Sequence, residues 1–458
     1  MKPASIALAL LGLACLSQPA EAALFSIADG DYVALRQAAR DAAENNEDDT
    51  IVLAPGGHYQ PAGRLELASV SGGLRIYGRG ATIDGGDADP GRLFDIASDG
   101  QLVVADLTIR RVGYTVAEPF FSGGVINNRG ATRLRNVTIT GTAIDGGEDG
   151  IFGAVIDNAG SLDLTNVTLS GNEASGSVFG VLINSNGQAN LANATLAANT
   201  TADGAEGSLS MIDSSGGDSF VLVNSILADN DNDNCNGPFT SRGGNIADDA
   251  SCGIDEPSDQ PDTDPRLGPL ADNGGGVLTH APASNGPAID AGESGECTPM
   301  DARGIPRPES GVQGAGSTCD PGALEVAEAP DGFQPSVTGS WFDPDQNGHG
   351  FMLELLPSGE QLLATWFVFD ASGGRDWVQA IGTITDGIAK MTALQTSGGA
   401  FPPEFQSENV SVKYWGTLTI VMHGCNAGTA AWMPDGIGYT PGGMPLRRIT
   451  AVAGLPCQ

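Results

Sequence analysis

Lysine is almost missing from this chain: among 458 residues only Lys2, Lys390 and Lys413 occur. Basic side chains number 21 against 56 acidic ones, a formal charge of −35. That excess excludes phosphate neutralisation as a way of binding nucleic acid, and an electrostatic hold on an anionic membrane face. Between Asn136 and Ser241 there is no Lys, Arg or His at all, while 13 acidic residues fall there. Aromatic residues make up only 6%, and 66 glycines argue against an all-α chain. Apart from residues 6–16, no apolar run approaches the ~18 residues needed to span a bilayer as a helix. What is present is a 40% hydrophobic fraction, enough to build cores and to exclude global disorder. The length suits two or three domains.

Met1 and Lys2, the apolar run 6–16 (IALALLGLACL) and Ala20-Glu21-Ala22 read as a signal peptide, with cleavage after Ala22. Cys15 closes the apolar run, so a lipoprotein signal is the alternative. Six cysteines remain, neighbours in sequence: Cys235 and Cys252, Cys297 and Cys319, Cys425 and Cys457. An even set in an exported chain reads as disulfides, here expected between neighbours.

Internal repetition is the strongest signal. GQLVVADLTIR from Gly100, GATRLRNVTIT from Gly130, GSLDLTNVTLS from Gly160, GQANLANATLA from Gly187 and DSFVLVNSILA from Asp218 align at steps of 30, 30, 27 and 31 residues. A second piece alternates with them: GGVINN at 123–128, GAVIDN at 153–158, GVLINS at 180–185 and LSMIDS at 209–214. One such unit cannot bury its own apolar face, so units must stack, with short strands joined by tight corners into a parallel coil. Asp106, Asn136, Asn166, Asn193 and Asn224 recur at one register, where a side chain tolerating left-handed backbone geometry is needed. The same repetition accounts for the Asn-x-Thr sequons at Asn136, Asn166 and Asn193.

These rungs resemble right-handed parallel β-helix proteins of the pectate-lyase-like superfamily. DYVALRQAARDAA at 31–43, a helix with Asp31 as N-cap, and IVLAPGGHY at 51–59 are similar to the opening of that fold, where a helix covers the end of the coil. SILADN at 225–230, GGNI at 243–246, DPRLGPLADNGGGVLTHA at 264–281, GPAIDAG at 286–292, DARGIPRP at 301–308 and CDPGALE at 319–325 resemble the choice-of-anchor Q family of large exported β-helix proteins. About 130 further residues stand where that family carries a short anchor. They hold all five tryptophans, and runs such as LLATWFVFD at 362–370 read as antiparallel strands. The expected fold is therefore all-β: a right-handed parallel β-helix of about seven rungs with an N-terminal capping helix, then a small antiparallel β domain. The expected boundaries are 1–22 signal, 23–50 cap, 51–250 coil, 251–330 choice-of-anchor Q-like end of the coil, and 331–458 Trp-rich module.

Four chemistries present themselves. Polyuronate cleavage, common in the superfamily, needs cations to neutralise the substrate carboxylates. The arginines cluster before the central rungs, and Arg133 shares a register with Asp163, which reads as an ion pair between rungs. Glycoside hydrolysis needs two carboxylates. Asp157 and Asp213 share the register of Asn127 and Asn184, two rungs or about 10 Å apart; turn-suited alternation of Asn and Asp is the structural reading. Calcium is the candidate cofactor: Asp343, Asp345, Asn347 and Glu354 match an EF-hand loop expression, although flanked by strands rather than helices, and DNDNDN at 229–234 is a weaker match. Phe121, Phe152 and Phe179 precede the GxVI piece in consecutive rungs and form either an external carbohydrate platform or an internal stack. The leading functional expectation is an exported or surface protein presenting a binding face to glycans or cell-envelope partners. A polysaccharide-degrading enzyme is the alternative.

Overall fold

The computed structural model describes residues 23–43, 47–61, 67–86, 92–115, 121–217, 219–308, 318–327, 332–370, 372–435 and 439–455. The expected signal segment and Cys457 lie outside them. The chain is all-β, 5% helical, with a parallel coil of about six turns followed by a closed eight-stranded antiparallel barrel. At ~4.8 Å per rung the coil is about 30 Å long, a turn shorter than expected.

The inward residues of the long sheet explain the stacking. Ile76, Val104, Leu134, Leu164, Leu191 and Leu222 lie in one register through successive parallel pairs, and all are fully buried. The corner register follows. Asp106, Asn136, Asn166, Asn193 and Asn224 all have φ between 48° and 55°, the left-handed region that Asn and Asp tolerate best. The Asn136 amide donates to Asp106 at 2.9 Å and the Asn166 amide to Asn136 at 3.0 Å. A second buried ladder joins Asn172 to Asn199 and Asn199 to Asn230 at 3.0 and 2.9 Å. It absorbs Asn230 of the DNDNDN run into the coil wall, and Asn230 in turn donates to Asn234 at 2.8 Å.

Helix Tyr32–Ala43 covers the first turn. Asp31 Oδ1 accepts from the Ala34 amide at 2.9 Å, the N-cap bond. Leu35, Ala38, Ala39 and Ala42, at helical spacing, enter the coil core. At the other end the rungs stop near Ile246. Among the described residues, 264–308 and 318–327 add no further turn and return along the asparagine corner. Asn166 donates to the Met300 carbonyl at 2.8 Å, Asn193 to the Asp320 carbonyl at 3.2 Å and Asn224 to the Glu293 carbonyl at 3.3 Å. Disulfides Cys235–Cys252 and Cys297–Cys319, with Cα separations of 4.8 and 5.9 Å, fasten the last rung and this strap. Cys425 is disulfide-bonded as well.

The barrel runs Gly339–Phe342, Gly350–Leu355, Gln361–Phe369, Arg375–Thr385, Ile388–Ser397, Ser411–Met422, Ala427–Pro434 and Gly442–Arg448. Each strand pairs antiparallel with the next and the last closes on the first, which removes exposed edges. Strict alternation sends Phe351, Leu362, Ala364, Trp366, Val378, Met391, Leu418 and Ile420 inside. Its outer face docks on the coil and strap. The Tyr77 and Tyr414 rings stack with centroids 3.4 Å apart, and Asp435 accepts from both the Tyr77 hydroxyl and Arg135. Lys390 Nζ meets Asp106 Oδ1 at 2.5 Å and the Ala302 carbonyl at 3.2 Å.

Candidate functional site

Three glycines create a bend in the coil wall. Gly123, Gly153 and Gly180 have φ of 63°, 59° and 77°, and a Cβ there would come within 2.0–2.5 Å of the carbonyls of Ile126, Ile156 and Ile183. The chain therefore folds back on itself between two short sheets. Before the bend, Ser122, Phe152, Phe179 and Ser208 share one register. After it, Asp95, Asn127, Asp157, Asn184, Asp213 and Asn236 share another. Both rows alternate with buried inward neighbours such as Ile151, Val178, Ile156 and Ile183, so both point outward. Outward side chains diverge across a convex corner. Here Ser122 hydrogen-bonds Asp157, and Ser208 hydrogen-bonds Asp213, so the corner is concave: a groove running along the coil.

The floor of this groove is a strict alternation of aspartate and asparagine. Each asparagine amide donates to the aspartate one rung before it: Asn127 to Asp95 at 3.1 Å, Asn184 to Asp157 at 2.6 Å and Asn236 to Asp213 at 3.2 Å. Carboxylates one rung apart would repel; the intervening amides separate them and pair with them. The environments of the two central acids then diverge. Burial pushes the Asp157 carboxyl up, against hydrogen bonds from Asn184 and Ser122 and the charge of Arg92. Burial acts on Asp213 in the same sense, but hydrogen bonds from Ser208, Ser215 and Asn236 outweigh it and hold that carboxyl below its ordinary value.

Phe152 and Phe179 stack on the wall, ring centroids 5.0 Å apart, and both are half-buried. The pair is external, not part of the core. Phe121 does not extend it: its register partner is Ile151, one position out of step, and Ser122 stands opposite Phe152. The groove thus brings together Phe152, Phe179, Asp157 and Asp213 from the sequence candidates, while Phe121 holds a neighbouring backbone register. Asp95, Asn236, Ser122 and Ser208 escaped notice in the sequence. Asp95 lies 32 residues before Asn127 and Asn236 lies 23 after Asp213, so neither follows the repeat step.

The other candidates lie elsewhere. Asp343, Asp345 and Asn347 occupy a turn between two barrel strands, and Glu354 sits at an exposed position of the second. Asp343 is occupied locally, accepting from the Asp345 amide at 3.0 Å and from Gln346 Nε2 at 2.9 Å. Among the described residues, no cluster of three or more His, Cys, Asp or Glu is placed to hold a metal ion. Most described arginines of the cluster pair with aspartates. Arg110 and Arg111 both bind buried Asp84 at 2.8 and 2.7 Å, Arg129 binds Asp95 at 3.0 Å, and Arg133 binds Asp163 at 3.5 Å. Of the tryptophans, Trp341, Trp366 and Trp415 fill the barrel core, Trp432 packs against it, and Trp377 is 48% exposed. Among the described residues no helix is long and apolar enough to cross a membrane. No protein-family model, curated protein or solved structure matches the chain.

Proposed function

We propose that the groove binds a glycan strand and that the protein is an exported or surface-presented carbohydrate-binding member of the pectate-lyase-like, choice-of-anchor Q-like group. The observation carrying this reading is the side-by-side arrangement of the Phe152–Phe179 platform with a row of acceptors and amides along the coil. Aromatic faces cover the apolar face of a sugar ring, while Asp and Asn accept and donate to its hydroxyls. Two disulfides agree with an oxidising compartment. A neutral or cationic glycan is favoured, since Asp95, Asp157 and Asp213 all stand in the groove and no described cation is left free beside them.

A second reading rests on the opposite shifts of Asp157 and Asp213. An acid raised by burial beside a carboxylate held low is how acid and base roles separate. Their spacing, about 10 Å over two rungs, lies just beyond the separation of about 6.5–9.5 Å usual for inverting hydrolysis. A glycan array read with the secreted protein, followed by a reducing-sugar assay on every hit, tests both. Array signals that vanish in Phe152→Ala support binding. No signal on any neutral or cationic glycan refutes it. Sugar release abolished in Asp157→Asn would move the protein to the enzyme class.

A further inference from the structure

Where coil, strap and barrel meet there is a cavity of about 500 Å³, within the ~300–1,000 Å³ range of small-molecule sites. Arg79 lines it from the coil, beside Tyr77 and Asp106; Gly275, Gly276 and Arg303 line it from the strap; Ile384, Ile388, Lys390, Thr392 and Tyr414 line it from the barrel. Two of its three cations are satisfied: Lys390 by Asp106 at 2.5 Å, and Arg303 by Asp301 at 2.8 Å. Arg79 is not. It is half-buried, and no described residue gives its guanidinium an ion pair or hydrogen bond. In a chain carrying 35 more negative than positive charges, a half-buried arginine without a carboxylate stands out. Burial lowers its pKa from the ordinary value, against a smaller opposing influence of Tyr414.

The backbone holds this arginine deliberately. Arg79 has φ of 55°, in the three-residue bulge 78–80 that stands opposite Asp106 of the next rung. A bulky side chain in that conformation costs strain, and such strain concentrates at functional positions. Glycines on both sides allow it. A Cβ at Gly78 would sit 2.3 Å from the Asp106 carbonyl, and one at Gly80 would sit 3.1 Å from Gly276 Cα. Beside the arginine, strap and coil therefore approach closely at Gly80 and Gly276.

We propose that this cavity is a binding site for a small organic monocarboxylate, its carboxylate paired with Arg79 and its apolar body against Ile384, Ile388 and Tyr414. The guanidinium fork matches a carboxylate with two parallel hydrogen bonds. A doubly charged phosphate is disfavoured, because Asp106 is in the wall and Asp272 and Glu360 stand at exposed positions of the lining. The site is independent of the lateral groove.

The test is calorimetric titration of the full secreted chain with benzoate, hexanoate and galacturonate, and with benzamide, glucose and inorganic phosphate as counterparts. At least one carboxylate should bind, its neutral counterpart and phosphate more weakly. Arg79→Gln should weaken it roughly ten- to a hundredfold, the worth of a charge-assisted bidentate contact. Thr385→Trp, at an exposed lining position, should block the mouth while leaving Arg79 in place, and should also abolish binding. Benzoate or hexanoate binding alone identifies an aliphatic or aromatic acid; galacturonate binding alone identifies an acidic sugar. Absence of binding by all three carboxylates, or binding unchanged in both variants, overturns the proposal.

Discussion

Replacing Asn184 by aspartate inserts a third carboxylate between Asp157 and Asp213, one rung from each. At ~4.8 Å and an effective dielectric near 20, each like-charge contact costs about 3.5 kcal/mol, about 7 kcal/mol for two. The new group escapes that cost by holding a proton. With an unfolded pKa near 3.9, keeping it neutral costs about 5 kcal/mol at pH 7.5 but under about 1 kcal/mol at pH 4.5. Its folded pKa is raised, so the folded state binds the additional proton and stability falls as pH rises from about 4 towards that folded pKa. Asn184→Asp should thus unfold in urea near the parent midpoint at pH 4.5 and well below it at pH 7.5. Parallel measurements with Asn184→Ala, which adds no charge, should show a much flatter pH dependence. An equal loss for Asn184→Asp at both pH values would refute electrostatic spacing as the reason for the alternation.

Asp435→Ala leaves Arg135 unpaired in the coil–barrel contact and removes the acceptor of Tyr77. It should weaken docking by about 3–5 kcal/mol, seen as faster hydrogen exchange at 411–422 with little change inside the coil. Removing Cys235–Cys252 by a double serine change should cost about 3 kcal/mol from the loop it closes, read as a lower denaturation midpoint than that of the disulfide-bonded parent under the same non-reducing conditions. Polygalacturonate and alginate should yield no unsaturated product, with or without millimolar calcium, because Arg110, Arg111 and Arg133 are held by Asp84 and Asp163. Turnover lost in Arg133→Ala would contradict that.

The coil was legible because its rungs repeat: the Val104–Leu222 core register, the left-handed corner at Asn136 and the Arg133–Asp163 pair all follow from steps of about 30 residues. The Asp157–Asp213 register was readable for the same reason. The groove was not, since its concavity depends on positive-φ glycines that look like ordinary turn residues, and on Ser122 and Ser208, which carry no motif. Phe121 pairs with Ile151 in the backbone register, one step from the Phe152–Phe179 row, an offset that the different lengths of the rungs conceal in the sequence. The strap was hidden because residues 264–327 hold few alternating runs, and Glu293, Met300 and Asp320 are held by asparagine amides of other rungs. Arg79 could have been noticed as the one arginine in a Gly-Arg-Gly corner. Its lack of a partner depends on the barrel, far away in sequence.

The groove is tested most directly by titrating one glycan identified on the array into the parent, Phe152→Ala, Phe179→Ala and Trp377→Ala. Trp377 is the exposed tryptophan of the barrel and controls for aromatic stickiness in general. Binding lost in both phenylalanine variants and kept in Trp377→Ala is the predicted result. Binding lost in Trp377→Ala and kept in the other two would place the glycan on the barrel and contradict the account.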